Sequence, residues 1–301
     1  MPVINLSRLV RKYGWGLPAH LWLESRCRLY EHEPVRACVR ILFPAKAPGL
    51  WVFPVGCYNS GTTIFQKLLA AHPDISTLPK EGVRFTAILP APEDKGWTRM
   101  WVRCAEYMDI GSEIEPNRAE RIRKDWAPWL DSSCQVFMDK SISNAARIPW
   151  LDRNFDNAYF IGIQRDGYCA AEGIRRKARA RGEALQQTGT VYPIEMAGEQ
   201  WVAANERLLE AANTVARFRM IKYEDLISDP VDMLGKVWTF LGLDLPHMEA
   251  LRDGLIIGQN TYHIEQNNNT QSHARLSDDD VRRLTPVIRD MQERLGYSIR
   301  D

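Results

Sequence analysis

Three features of this 301-residue chain predict an α/β fold of three layers, with helices on both faces of a central, mainly parallel sheet. Four short apolar runs are separated by longer segments of helical period, the pattern that βαβ units require. The first run ends in a glycine-bounded turn that opens directly into a helix. The composition is that of an ordinary globular protein, 45% apolar and 26% charged, at a length that suits one large domain with embellishments.

Residues 1–48 read as an N-terminal helical arm. Leu, Trp and Tyr alternate there with Arg8, Arg11, Arg26, Arg28, Arg36 and Arg40. The arm is either a helix pair packed on the core or an amphipathic surface that touches a membrane or a partner. Residues 49–301 are expected to form the α/β domain. Its strands are predicted at 50–55, 135–138, 158–163 and 218–221, where apolar residues run without alternation. Helices are predicted at 61–71, 117–130, 143–154, 167–181, 197–215, 231–241 and 278–295. The segment 76–115, with Pro79, Pro90, Pro92, Trp97 and Trp101, is expected to form one wall of a substrate pocket. Residues 258–276, including Asn267, Asn268 and Asn269, read as a polar loop before the last helix.

Several classes are disfavoured. The net charge of +1 gives no global field to attract nucleic acid. The six cysteines (Cys27, Cys38, Cys57, Cys104, Cys134 and Cys169) form no CxxC pair, which argues against a zinc site. They read as thiols in a reducing, cytoplasmic compartment. No apolar run reaches the ~20 residues of a membrane span, and no secretory leader is expected.

The most informative segment is Val55-Gly56-Cys57-Tyr58-Asn59-Ser60-Gly61-Thr62-Thr63, between an apolar strand and a helix that closes near His72-Pro73. Backbone N–H groups converge at such a turn, and the helix dipole favours an anion. The fold is therefore expected to be P-loop-like. An ATP-type loop carries Lys after its second glycine, and Thr62 stands there instead.

The segment resembles the 5′-phosphosulfate loop of sulfotransferases that use 3′-phosphoadenosine 5′-phosphosulfate (PAPS), above all the bacterial and Golgi-type carbohydrate or tyrosine enzymes. In that family a basic residue precedes Ser-Gly-Thr-Thr, and His-Pro follows the helix. Here Asn59 takes the basic position. Three further segments carry the likeness. Arg165-Asp166-Gly167 after the strand 158–163 is similar to the family's 3′-phosphate segment, although the position eight residues on, where relatives have Ser, is Gly173. Tyr223-Glu224-Asp225-Leu226, with Asp229-Pro230 and Phe240-Leu241-Gly242, is similar to a family marker. Asp139-Lys140-Ser141 is similar to the family's Lys-Ser/Thr segment.

The resemblance implies sulfuryl transfer from PAPS to an acceptor hydroxyl on a carbohydrate, lipid, peptide or small metabolite, with no metal. It implies that Tyr58, Asn59, Ser60, Gly61, Thr62 and Thr63 bind the 5′-phosphosulfate. Arg165 would bind the 3′-phosphate, and Gly173 and Tyr223 would lie beside the nucleotide. Glu81 would be the general base. Lys140, with Lys80 or Arg84 behind it, would make up for the charge that Asn59 lacks at the leaving group. Arg175, Arg176 and Lys177 offer compensation for Gly173, or form a solvated helix face with Arg179 and Arg181. Trp97, Trp101, Trp126 and Trp129 stack on the acceptor or belong to the core. His72 reads as a cap, and His263 and His273 as loop residues. Two alternatives stay open: a kinase-like phosphoryl transferase, and a sulfotransferase-fold protein that binds nucleotide without turnover.

Overall fold

The computed structural model of the chain describes residues 17–44, 48–245, 255–257, 260–262 and 268–300. Five strands form one parallel sheet: β1 (Leu50–Gly56), β2 (Ile75–Thr77), β3 (Val136–Met138), β4 (Ala158–Gln164) and β5 (Phe218–Lys222), in the order β2-β3-β1-β4-β5. The three-layer αβα architecture is thus the one the sequence predicts. β2 was not anticipated. A further pair, β6 (Leu255–Ile257) and β7 (Asn260–Tyr262), is antiparallel.

β1 lies at the centre and is buried along its whole length. Pro54 is an unusual residue for a central strand, because it has no N–H to donate. It shares the parity of Leu50, whose amide bonds to Gln135 on the β3 side, whereas the amide of Trp51 bonds to Asn157 on the β4 side. The β1–β3 register ends at Val52↔Met138, so Pro54 sits beyond the last ladder bond on its own side.

One face of the sheet carries Trp51, Phe53, Val55, Phe137 and Phe160. It is covered by α1 (Leu17–Tyr30), α2 (Glu33–Leu42), α4 (Pro116–Trp126), α5 (Ile148–Asn154) and the end of α8 (Ile194–Thr214). The opposite face carries Val52, Met138, Ile161 and Ile163 under α3 (Thr62–Leu69), α9 (Tyr223–Ser228) and α10 (Pro230–Phe240). A third cluster joins α6 (Gly167–Lys177), α7 (Gly182–Thr188), α8 and α12 (Asp278–Arg294) through Tyr168, Ile174, Ala184, Trp201, Leu284 and Ile288. The short helix α11 (Asn268–Ala274) leans on α6.

Several expected helices are shorter than their patterns, two of them for a visible reason. The 143–154 segment is a 3-10 turn (Ile142–Ala146) followed by α5: Pro149 has no N–H to donate and its ring crowds the carbonyl four residues back, so the helix breaks at Arg147 and restarts with the proline in its first turn. The 167–181 helix stops at Lys177, where Ala178 is extended and Thr98 accepts the amide of Arg179.

α1 and α2 pack on α4. The Tyr30 hydroxyl donates to the Asp125 carbonyl at 2.7 Å, and Arg40 meets the buried Asp125 carboxylate at 2.6 Å. The outward side of this pair leaves Trp22, Leu29, Ile41 and Leu42 exposed. The residues 1–16 of the expected arm, with Arg8 and Arg11, lie outside the described residues, as does His263. Among the described residues no helix is long and apolar enough to cross a membrane.

Candidate active site

The carboxyl ends of β1, β3 and β4 open on a cavity of about 550 Å³. This is where a parallel sheet with diverging crossovers binds ligands. Tyr58, Asn59, Gly61, Thr62, Thr63, Glu81, Arg165, Gly173 and Tyr223 all line it, as do Glu93, Arg99, Arg176, Lys177, Asn268, Ser272 and Arg275. The sequence therefore places most of its candidate residues around one space, although they come from segments more than 160 residues apart.

The turn after β1 supplies the floor. Gly61 has φ +93° and caps α3, and Asn59 has φ +65°. Glycine carries no penalty in the left-handed region and asparagine a small one. Any side chain on Gly61 would enter the ring of Tyr223, which packs directly on it. Ser60 and Thr62 are buried. Two buried polar atoms of the turn, Asn59 Nδ2 and Ser60 Oγ, have no hydrogen-bond partner. Unmet donors on the floor of a cavity, at the positive end of a helix, suit an anion that would satisfy them.

Arg165 leaves the end of β4 and is held on every side. Its backbone carbonyl accepts from Trp201 Nε1 at 3.0 Å. Its Nη1 donates to the Asn59 carbonyl at 2.7 Å and its Nε to Asn269 Oδ1 at 2.8 Å. The guanidinium lies 4.4 Å from the centre of the Tyr223 ring. Glu224 braces this group from behind: it accepts from the Asp166 amide, from Asn269 Nδ2 and from the Tyr297 hydroxyl. The Tyr-Glu-Asp-Leu segment thus stacks on Arg165 through its Tyr and holds the neighbouring chain through its Glu.

Glu81 stands on another wall. Lys140, at the end of β3, donates to Glu81 Oε1 at 3.1 Å. The alternatives Lys80 and Arg84 are engaged elsewhere, with Glu24 and Glu31 of the N-terminal helices, each at 2.5 Å. The turn that carries Glu81 is anchored by Asp139: its Oδ1 accepts from the Gly82 amide and from Ser141 Oγ, and its Oδ2 from Asn144 Nδ2. Full burial pushes the Asp139 carboxyl up to about 6 despite these bonds. Trp126 Nε1 donates to the Gly82 carbonyl and closes the anchor.

Other expectations resolve differently. Trp97, Trp101 and Trp126 are buried core residues, and Trp129 packs against Tyr30 and Phe85. None of the four lines the cavity. The 76–115 segment does form part of the wall, but through Glu81, Glu93 and Arg99. Glu93 and Arg99 were not singled out in the sequence. His72 bridges the chain: its Nδ1 accepts from the Asp74 amide, and its Nε2 meets the Asp244 carbonyl. Arg175 and Arg176 are paired with Asp280 and Glu172. Behind Arg165, Asp166, Cys169 and His273 approach one another. The Asp166 oxygens already accept from the Cys169 amide and from Gln292, so this cluster is structural bracing first.

Comparison with known proteins agrees with this architecture. In structure the chain is similar to the sulfotransferase domain from the curacin biosynthetic pathway, with a TM-score of 0.56 at 17% identity over 85% of this chain and 100% of that one. It is similar to the sulfotransferase domain of the Synechococcus PCC 7002 olefin synthase, with a TM-score of 0.52 at 20% identity over 85% and 97%. It is also similar to a sulfotransferase from Mycobacterium avium, with a TM-score of 0.51 at 16% identity over 98% and 85%. At such identities the likeness is one of fold. No curated protein matches the chain in sequence. A family model described as "Sulfotransferase family" matches residues 52–247, well over half of the chain and every segment that lines the inner cavity wall from Tyr58 to Tyr223. The chain belongs to the sulfotransferase family.

Proposed function

We propose that this protein transfers a sulfuryl group from PAPS to an acceptor hydroxyl on a carbohydrate, lipid, peptide or small metabolite. The observation that carries the reading is the meeting, in one cavity, of a helix-capping turn with two unmet buried donors, a rigidly held Arg165, and the carboxylate of Glu81. The residues fit the donor. The amides of residues 60–63 and the side chains of Asn59 and Ser60 would hold the phosphosulfate end. Arg165, whose planar fork suits phosphate, would hold the 3′-phosphate, with Tyr223 beside the nucleotide.

Bound there, PAPS supplies a sulfuryl group activated by its anhydride link to phosphate. The acceptor oxygen forms a bond to sulfur while the sulfur–oxygen bond to phosphate breaks. The electron pair stays on 3′-phosphoadenosine 5′-phosphate (PAP). The loop donors stabilise the charge that develops on that oxygen. Glu81 takes the acceptor's proton. Lys140 aims Glu81 by its hydrogen bond, and the Asp139 anchor fixes the turn beneath.

Calorimetric titration with PAP, on wild type and Arg165→Ala, tests the donor site. Micromolar binding that the variant loses supports it; no binding to wild type removes it. Glu81→Gln, assayed with PAPS against a panel of hydroxyl acceptors, should keep PAP affinity and lose turnover by about 10²–10⁴-fold. PAP binding without transfer to any acceptor would favour the non-catalytic reading, to which Asn59 and Gly173 lend some weight. Magnesium-dependent ATP hydrolysis would favour the kinase-like one.

A further inference from the structure

The donor loop lacks a basic residue at Asn59, and sulfuryl transfer needs positive charge near the leaving phosphate. Lys140 is not free to supply it, because its ammonium is bonded to Glu81. A different cation reaches the loop. Lys177, the last residue of α6, donates from Nζ to Asn59 Oδ1 at 2.9 Å and lines the same cavity. Its neighbours Arg175 and Arg176 turn to carboxylates of the protein. Lys177 alone of the three turns to the loop.

The contact depends on a gap. Gly173 lies one turn before Lys177 on the same helix, and the Asn59 side chain packs against it. A Cβ on Gly173 would stand 2.8 Å from Asn59 Cγ and 2.9 Å from Asn59 Cβ, too close for either to remain in place. The two departures from the family pattern, Asn59 and Gly173, are therefore in direct contact. They form one local arrangement with Lys177. The bond from Lys177 to Oδ1 also sets the amide of Asn59. It leaves Nδ2, the buried donor without a partner, for a ligand.

We propose that Lys177 and Asn59 together replace the single basic residue of the donor loop: Lys177 carries the charge beside the phosphosulfate, Asn59 donates the hydrogen bond, and Gly173 makes room for both. The inference rests on the PAPS reading of the cavity. Charge assists it as well. The Lys177 ammonium loses hydration at this site and is crowded by Arg99, Arg176 and Arg165, with Glu172 the opposing carboxylate, so its pKa is lowered to about 8. The other titratable groups around the cavity are Arg275, Glu81, Glu93, Cys169, Tyr58 and Tyr223. Arginine stays charged across this range, and burial pushes Glu93, Cys169 and Tyr58 upward. With a value of about 8, Lys177 loses most of its charge between pH 7.5 and pH 9.5, where phosphate monoesters are already fully ionised.

The test is calorimetric titration with PAP from pH 7.5 to 9.5, on wild type, Lys177→Met, Lys177→Arg and Lys177→Met/Asn59→Lys, with a thermal melt of each. Wild-type affinity should fall about tenfold across that range as the ammonium deprotonates. Lys177→Met should bind about tenfold or more weakly at pH 7.5, with a flat profile. Lys177→Arg should keep affinity and abolish the decline, because arginine does not titrate there. The double variant should regain most of that affinity, short of the wild-type value because lysine is strained in the left-handed conformation of residue 59. Wild-type affinity and profile in Lys177→Met, or a decline that persists in Lys177→Arg, overturns the proposal and leaves the donor site standing. Absence of PAP binding by wild type at every pH overturns the donor site, and this inference with it.

Discussion

Replacing Gly173 by alanine should weaken nucleotide binding while leaving the fold intact. The added Cβ lies 2.8 Å from Asn59 Cγ and 2.9 Å from Asn59 Cβ, about 1 Å inside ordinary carbon–carbon contact. Helix α6 cannot give way, because Gly167–Ile174 is buried against α8 and α12. Asn59 must move instead. Its side chain is held by Lys177 at 2.9 Å and its carbonyl by Arg165 at 2.7 Å. A shift of about 1 Å takes both beyond hydrogen-bond range. Each is a bond from a charged donor, worth about 1.5–3 kcal/mol, and overpacking costs about 1–3 kcal/mol. Part of this is relieved when the loop relaxes, so a loss of about 1–3 kcal/mol in PAP binding is expected, roughly 5- to 150-fold in Kd. Alanine in a helix interior regains about 1 kcal/mol over glycine, so the melting temperature should hardly fall. Calorimetry with PAP on Gly173→Ala, Asn59→Gly and the double variant separates the contact from everything else. In the Asn59→Gly background the new methyl group has no Asn59 side chain to meet, and the substitution should be neutral. Undiminished affinity in Gly173→Ala, or the same loss in both backgrounds, would refute the reasoning.

Three further outcomes follow from the geometry. Gly61→Ala should cost about 2 kcal/mol or more, since φ +93° is strained for alanine and its methyl enters the Tyr223 ring; a melting temperature equal to wild type would contradict that packing. Asp139→Asn should be tolerated, because Asn144 Oδ1 has no partner and a flip of its amide would let it accept from the new NH₂ group. The same variant tests the titration of Asp139: its folded-state value of about 6 lies above the ordinary 3.8, so its contribution is present at low pH and is lost as pH rises through 6. Thermal melts from pH 4 to 7 should show wild type losing about 2–3 kcal/mol relative to the variant, and parallel curves would sink the assignment. Trp201→Phe should weaken PAP binding several-fold by releasing the Arg165 carbonyl, and calorimetry showing no change would remove Trp201 from the support of that residue.

What the sequence made legible is set by how local each signal is. β1 and β4 were readable almost to the residue because both are buried along nearly their whole length and so run apolar, β4 up to its last residue, Gln164. β2 has three residues at the edge of the sheet, only Ile75 of them buried, and carries no such run. The turn after β1 was visible because its requirements are local: a strand, a glycine with positive φ and a helix start. Arg165 was visible for the same reason. The partners of these residues were not. Lys140 and Glu81 meet across 59 positions and Lys177 and Asn59 across 118, and nothing local says which of several basic residues will turn inward. On α6 the choice was made by a missing atom. Arg176 and Lys177 both lie one turn beyond Gly173, where the Asn59 side chain packs on the helix; Arg176 turns to Glu172 and Lys177 to Asn59. Gly173, a departure from the family pattern in the sequence, is in three dimensions what lets the Asn59 side chain pack against α6, and the pairing of Asn59 with Lys177 is legible only once that helix is in view.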